Sequence, residues 1–141
     1  MRDFSTPRTF ILSAYQGTSA AFDRAAHADL VADLALEGVP FRECEGSFEG
    51  HYEQGCIVTG AASQDTVQAL AESYNQECYL VIAEHDRITY EVNTVTGFHK
   101  HLGKLTNVGP DEPRDAAGWT YCDGQYFVAV PRPGVDLPEG L

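Results

Sequence analysis

The sequence predicts an α+β fold: an antiparallel or mixed β-sheet with two helices on one face, in split β-α-β order, followed by a C-terminal β-hairpin. Three observations predict it. Two stretches carry apolar residues at the helical repeat, each with a capping residue at its start. The segments around them are short, rich in β-branched and aromatic residues, and bounded by glycine and proline. Finally, Asp123-Gly124 lies between two apolar-rich runs, the strongest short-range hairpin signal a sequence offers.

Taken in order, "RTFILSAYQ" is an apolar run between Pro7 and Gly17, so a first strand is expected over Thr9 to Tyr15. A helix follows, with Ser19 as N-cap, Phe22, Ala26, Leu30 and Leu34 on one face, and Gly38 as its stop. "PFRECEGSFEGHYEQGCIVTG" reads as two strands joined by a turn around Gly46 to Gly50, or one bulged strand, with Cys56 to Thr59 its clearest part. In the second helix Ser63 is the expected cap, Asp65 suits the positive end of the dipole, and Val67, Leu70, Ala71 and Tyr74 form the inward stripe. "ECYLVIAEHDRITYEV" is strand, turn, strand, turning near His85 and Asp86. "GFHKHLGKL" alternates as a short strand, "GPDEPRDAAG" is a loop, and Trp119 to Cys122 and Gln125 to Val130 form the hairpin. One domain is expected over residues 1–130, with residues 131–141 a proline-rich tail that has little to bury.

Composition narrows the function. The chain of 141 residues is 43% hydrophobic, so it can bury a core, and no apolar run is long enough for a membrane span. The net charge of −12 opposes direct nucleic-acid binding. The carboxylates are scattered, which favours a role in solubility over imitation of a phosphate backbone. Cys44, Cys56, Cys78 and Cys122 form no C-x-x-C pair, and "MRDFSTPRTF" has no secretory pattern. Free thiols, cytoplasmic location and no bound cofactor are expected.

Against this acidic background the positive charge concentrates in "TGFHKHLGKL". Both lysines, Lys100 and Lys104, lie there, with His99 and His101 flanking Lys100. In a strand the two histidines share one face about 6.5–7 Å apart, fit for two donors to a phosphate, while Lys100 points the other way. The same spacing suits two metal ligands, but His51 or His85 would have to complete the set, and no metal is assigned. The plainer reading is a solvated edge strand protected by lysine. Asn75, Gln76 and Glu77 form a polar trio at a helix-to-strand junction; Gln76 and Glu77 can read a base edge or a ribose, or simply shape the turn. Tyr15, Gln16, Thr18 and Ser19 lead from strand to helix, where backbone N–H groups face an anion. The segment "EGSFEGHYEQG" sets Glu45, Glu49 and Glu53 beside His51 and Tyr52, as acid–base chemistry requires, without an adjacent nucleophile.

The residues Ala14-Tyr15, Gly46 to Glu53 and Gln76-Glu77 together resemble a pattern found in short bacterial and phage proteins. It has a first strand ending in a small residue and an aromatic, then a glycine–aromatic–glycine segment, then a Gln-Glu pair opening a later strand. This chain carries Cys78 where the pattern has serine. In layout, an α/β core with a C-terminal hairpin, the chain is also similar to phage anti-defence sponge proteins of the Thoeris type. That resemblance implies a homo-oligomer that sequesters a small phosphorylated nucleotide-derived signal without cleaving it. On this reading His99, Lys100, His101 and Lys104 hold phosphate, and Tyr15, Gln76 and Glu77 hold base or ribose. The alternatives are an acidic inhibitor of a host protein, or a small hydrolase using Glu53 or His51.

Overall fold

The computed structural model describes residues 8–17, 19–48, 50–59, 64–113 and 118–130. The expected cap Ser63, the loop residue Thr18 and the proline-rich tail lie outside them. The elements are β1 (Arg8–Ser13), α1 (Ala20–Glu37), β2 (Phe41–Phe48), β3 (His51–Val58), α2 (Gln64–Ser73), β4 (Cys78–Ala83), β5 (Ile88–Asn93), β6 (His99–Gly109), β7 (Gly118–Cys122) and β8 (Gln125–Val130).

The order of elements matches the sequence, but the architecture does not. Instead of an open α+β sheet with helices on one face, the eight strands close into a barrel in the order β1-β3-β2-β7-β8-β6-β5-β4. Every neighbouring pair is antiparallel, and β4 closes the ring against β1 through Phe10↔Val81 and Ile11↔Leu80. The β7–β8 hairpin does not hang beside the sheet: β7 pairs with β2 and β8 with β6, so it completes the wall. Alternation in a sequence tells which face a residue takes, not which strand lies beside it. Closure leaves none of the eight strands with a free edge.

The two faces of the wall divide the apolar residues. Phe10, Leu12, Cys56, Val58 and Val81 turn outward, where Leu30 and Leu34 of α1 and Val67 and Ala71 of α2 cover them in one cluster. Ile11, Cys44, Ile57 and Cys122 form a second, smaller cluster on the inner face. The thiols of all four cysteines are free. Leu30 and Leu34 have no exposed surface, each contributing on the order of 2 kcal/mol through burial. Helix α1 starts where the sequence places it: Ser19 is extended and its side chain accepts the Phe22 N–H. It stops at Gly38, which takes the left-handed φ of 71° and donates its N–H to Ala35. The short hydroxyl–carboxylate contact from Tyr74 to Asp33, 2.5 Å, ties the end of α2 to α1.

The helices cover only part of the barrel. Among the described residues, none of β7 or β8 joins the cluster beneath them. Among the described residues no helix is long and apolar enough to cross a membrane.

Candidate functional site

Where β1 runs out, its last residues are held by three separate segments. Ser13 donates its hydroxyl to the Gln54 carbonyl (2.7 Å) and accepts the Tyr15 N–H (3.0 Å). The Tyr15 hydroxyl donates to Gln54 Oε1 at 2.8 Å. From the other side, Gln76 Nε2 donates to the Tyr15 carbonyl at 2.8 Å and to the Tyr74 carbonyl at 3.2 Å. The chain then reverses at Gly17, whose φ of 75° favours glycine, and enters α1. Asp23, in the first turn of α1 and only 6% exposed, accepts the Gln16 N–H at 2.9 Å. Its carboxylate therefore closes the loop over the helix start, where the dipole stabilises it.

Beside this junction β3 presents Tyr52 and Gln54 on the same outer face, and β2 presents Glu45 opposite Gln54. The Tyr52 hydroxyl donates to Glu45 at 2.8 Å. These walls enclose a wide-mouthed cavity of about 560 Å³, lined by Tyr15, Ser19, Asp23, Arg24, Tyr52 and Gln54 among others. That volume is in the range of small-molecule sites.

The electrostatics of the cavity are one-sided. Burial first, and then the Glu45 hydrogen bond and charge, push the Tyr52 phenol up to about 12. Burial, followed by the charge of Asp23, raises Tyr15 as well. Neither phenol is a general base near neutral pH. Both hydroxyl hydrogens are engaged by protein acceptors, so neither is free to donate to a ligand in the cavity. Glu53 takes the inner face between Tyr52 and Gln54. Burial raises its carboxyl, with the Asp23 charge adding to this, while the Ser13 hydrogen bond and His51 act against it. Arg24 supplies the guanidinium on the rim. Two carboxylates (Asp23, Glu45) and two electron-rich rings are thus set against one arginine, a constellation suited to a ligand carrying a positive centre and a carboxylate.

Of the residues the sequence singled out, Tyr15 and Gln76 come together in this site, with Gln76 acting on the backbone of Tyr15 and not on open solvent. Glu77 uses its carbonyl to accept the Thr94 N–H, and its side chain is exposed. The basic segment lies on the far wall. From β3, the path to β6 crosses β2, β7 and β8 one way, or β1, β4 and β5 the other. There His99 and His101 stand edge-on to the Tyr90 ring, with centroids at 6.3 and 5.5 Å. Lys100 lies opposite Glu91 and Lys104 opposite Ile88. A bulge between Thr89 and Tyr90 shifts the register by one residue, which brings Lys104 to the histidine face from which strict alternation would remove it. The structure therefore unites His99, His101 and Lys104 on one wall, leaves Lys100 on the other face, and places none of them at the cavity. Among the described residues, no three histidine, cysteine or carboxylate side chains form a metal-binding group.

No motif in the sequence singles out Asp23, Arg24 or Gln54. Asp23 reads as an ordinary acidic first-turn residue, and only its burial and its hold on Gln16 distinguish it. Alternation along "EGSFEGHYEQG" does carry a signal: with Glu45, Tyr52 and Gln54 on one face, a carboxylate, a phenol and an amide meet across two strands. A search of the curated proteins finds no match. A family comparison does find one: the model of the S-adenosylmethionine lyase family matches residues 10–130, and the chain belongs to that family.

Proposed function

We propose that the protein binds S-adenosylmethionine in the Tyr15–Tyr52 cavity and opens one of its carbon–sulfur bonds without water. The observation that carries this reading is the cavity's chemistry. A sulfonium is a soft cation without hydrogen-bond donors, and ring faces and nearby carboxylates are what stabilise it. Tyr15 and Tyr52 supply the rings; Glu45 and Asp23 supply the field. Arg24 pairs with the ligand's carboxylate. The match to a family described as lyases supports the same reading.

The chemistry needs little from the protein beyond placement. The bond from sulfur to the γ-carbon breaks and its electron pair stays on sulfur, leaving the neutral thioether 5′-methylthioadenosine. The ligand's own carboxylate oxygen forms the new bond to that carbon and closes a five-membered lactone. A cation and an anion within one molecule neutralise each other in this step, so excluding water favours it. The protein folds the amino-acid chain back so that oxygen and carbon meet. Arg24 orients the carboxylate, and Tyr15 and Tyr52 hold the sulfonium. Loss of a cell's methyl donor is compatible with a counter-defence role.

Incubating the purified chain with S-adenosylmethionine and separating the products tests this. The reading expects 5′-methylthioadenosine to accumulate over many turnovers, in step with the lactone or its ring-opened form. Ligand recovered unchanged after heat release would overturn cleavage in favour of sequestration. Methionine, or S-adenosylhomocysteine, in place of 5′-methylthioadenosine would put the broken bond on the ribose or the methyl side of the sulfur.

A further inference from the structure

The β7–β8 wall of the barrel carries a cluster of three aromatic side chains. On the outer face of β7 and β8, Trp119 meets Tyr126 edge-to-face at 5.0 Å, and Tyr121 meets Tyr126 at 4.5 Å. All three are half-buried, and none belongs to the cluster that the two helices cover. Scattered surface aromatics need no explanation, but a contiguous cluster marks a surface with something to bind. This one is continuous with the cavity. Glu45, which holds the Tyr52 hydroxyl, lies directly opposite Tyr121 in the ladder, and Ser47 bridges Tyr52 on one side and Trp119 on the other. From β3 to β7 is two strand spacings, about 9.6 Å.

Resting on the function proposed above, we propose that Trp119, Tyr121 and Tyr126 form the adenine subsite, with Glu45 between them and the sulfonium to take the ribose hydroxyls. The ligand's own architecture fits this spacing. Its sulfur and its base are separated by a ribose, so a sulfonium held at Tyr52 places the base across β2 and onto β7. Adenine offers a flat face for stacking and an exocyclic amine for an acceptor. Acceptors rim the cluster: the charges of Glu112, Glu45 and Asp111 all act on Tyr126. A phosphorylated nucleotide would meet these carboxylates unfavourably, whereas an adenosyl sulfonium meets none of that repulsion.

Trp119 is the chain's single tryptophan, so its emission reports this surface alone. The full chain is titrated with 5′-methylthioadenosine, which has the adenosyl group but no sulfonium, and with S-methylmethionine, which has the sulfonium but no base. Saturable quenching is expected with the first and none with the second. Tyr126→Ala should weaken 5′-methylthioadenosine roughly five- to 150-fold, the range for losing one base-stacking ring, while Tyr126→Phe stays within about twofold. If equilibrium dialysis shows binding and Trp119 emission does not move, the subsite is overturned and cleavage at Tyr15–Tyr52 stands. No binding of 5′-methylthioadenosine also overturns it, and S-adenosylmethionine turnover measured separately then decides whether the parent reading falls too. Emission that follows protein concentration and ignores the nucleoside would make this wall a contact between copies, and the adenine placement would be wrong.

Discussion

Glu53 shows how much one position on a strand decides. Its neighbours Tyr52 and Gln54 face the cavity, but Glu53 turns inward, and burial raises its carboxyl above the ordinary 4.5. The folded state therefore holds this proton more tightly than the unfolded chain does. Glu53's contribution to stability is complete below pH 4.5 and is lost as pH rises from there through the raised folded value. Comparing the urea midpoints of the native chain and Glu53→Gln across pH tests this. The variant should gain on the native chain as pH climbs through that window, then hold a constant lead. A gap independent of pH, or one that opens in the other direction, would refute it. Tyr15 stood out in the sequence because an aromatic follows a strand and precedes a capped helix. Asp23 did not, since an acidic residue in a first turn is commonplace, and its reach back to Gln16 depends on the loop's path.

At the scale of elements, the β1–β3 seam is the tightest place. A Cβ on Gly55 would stand 2.8 Å from the Leu12 carbonyl oxygen, a backbone atom that cannot swing away. Gly55→Ala should cost about 1–3 kcal/mol, read as a lower melting temperature, and should displace Ser13 and with it the Gln54 amide that holds Tyr15. An unchanged melt would mean that this strand gives way more easily than its pairing implies. Elements with local signals were readable. Ser19 and Gly38 bracket α1 as their chemistry requires, and Asp123-Gly124 turns the last hairpin. Strand β6 was not: it runs for 11 residues to Gly109, well beyond the short alternating stretch, because Thr106 and Asn107 gain partners in β8. Its bulge, which re-aims Lys104, does have a local marker: Gly103, a glycine inside the alternating stretch, sits at the register shift with a φ of 133°.

The closed barrel belongs to the whole molecule, and closure was the part the sequence hid. Glu45 and Tyr121 are neighbours in the wall though far apart in the chain, and nothing in either segment names the other. Closure is also what builds the site. It sets the aromatic wall of β7 and β8 beside β2 and carries the basic segment of β6 to the opposite side. On the proposed function the net charge of −12 takes on a further meaning, since an acidic molecule would draw in a ligand whose reactive atom is a cation. The proposed sulfonium site lies against Tyr52, and Tyr52 is 53% exposed, so its removal does not empty the core. The most direct test is the rate of S-adenosylmethionine loss with Tyr52→Leu, alongside a thermal melt. A desolvated cation–ring contact is worth about 2 kcal/mol, so kcat/KM should fall about 30-fold with the melt unchanged. Native kcat/KM in a folded Tyr52→Leu protein would contradict the claim and move the chemistry to another part of the barrel.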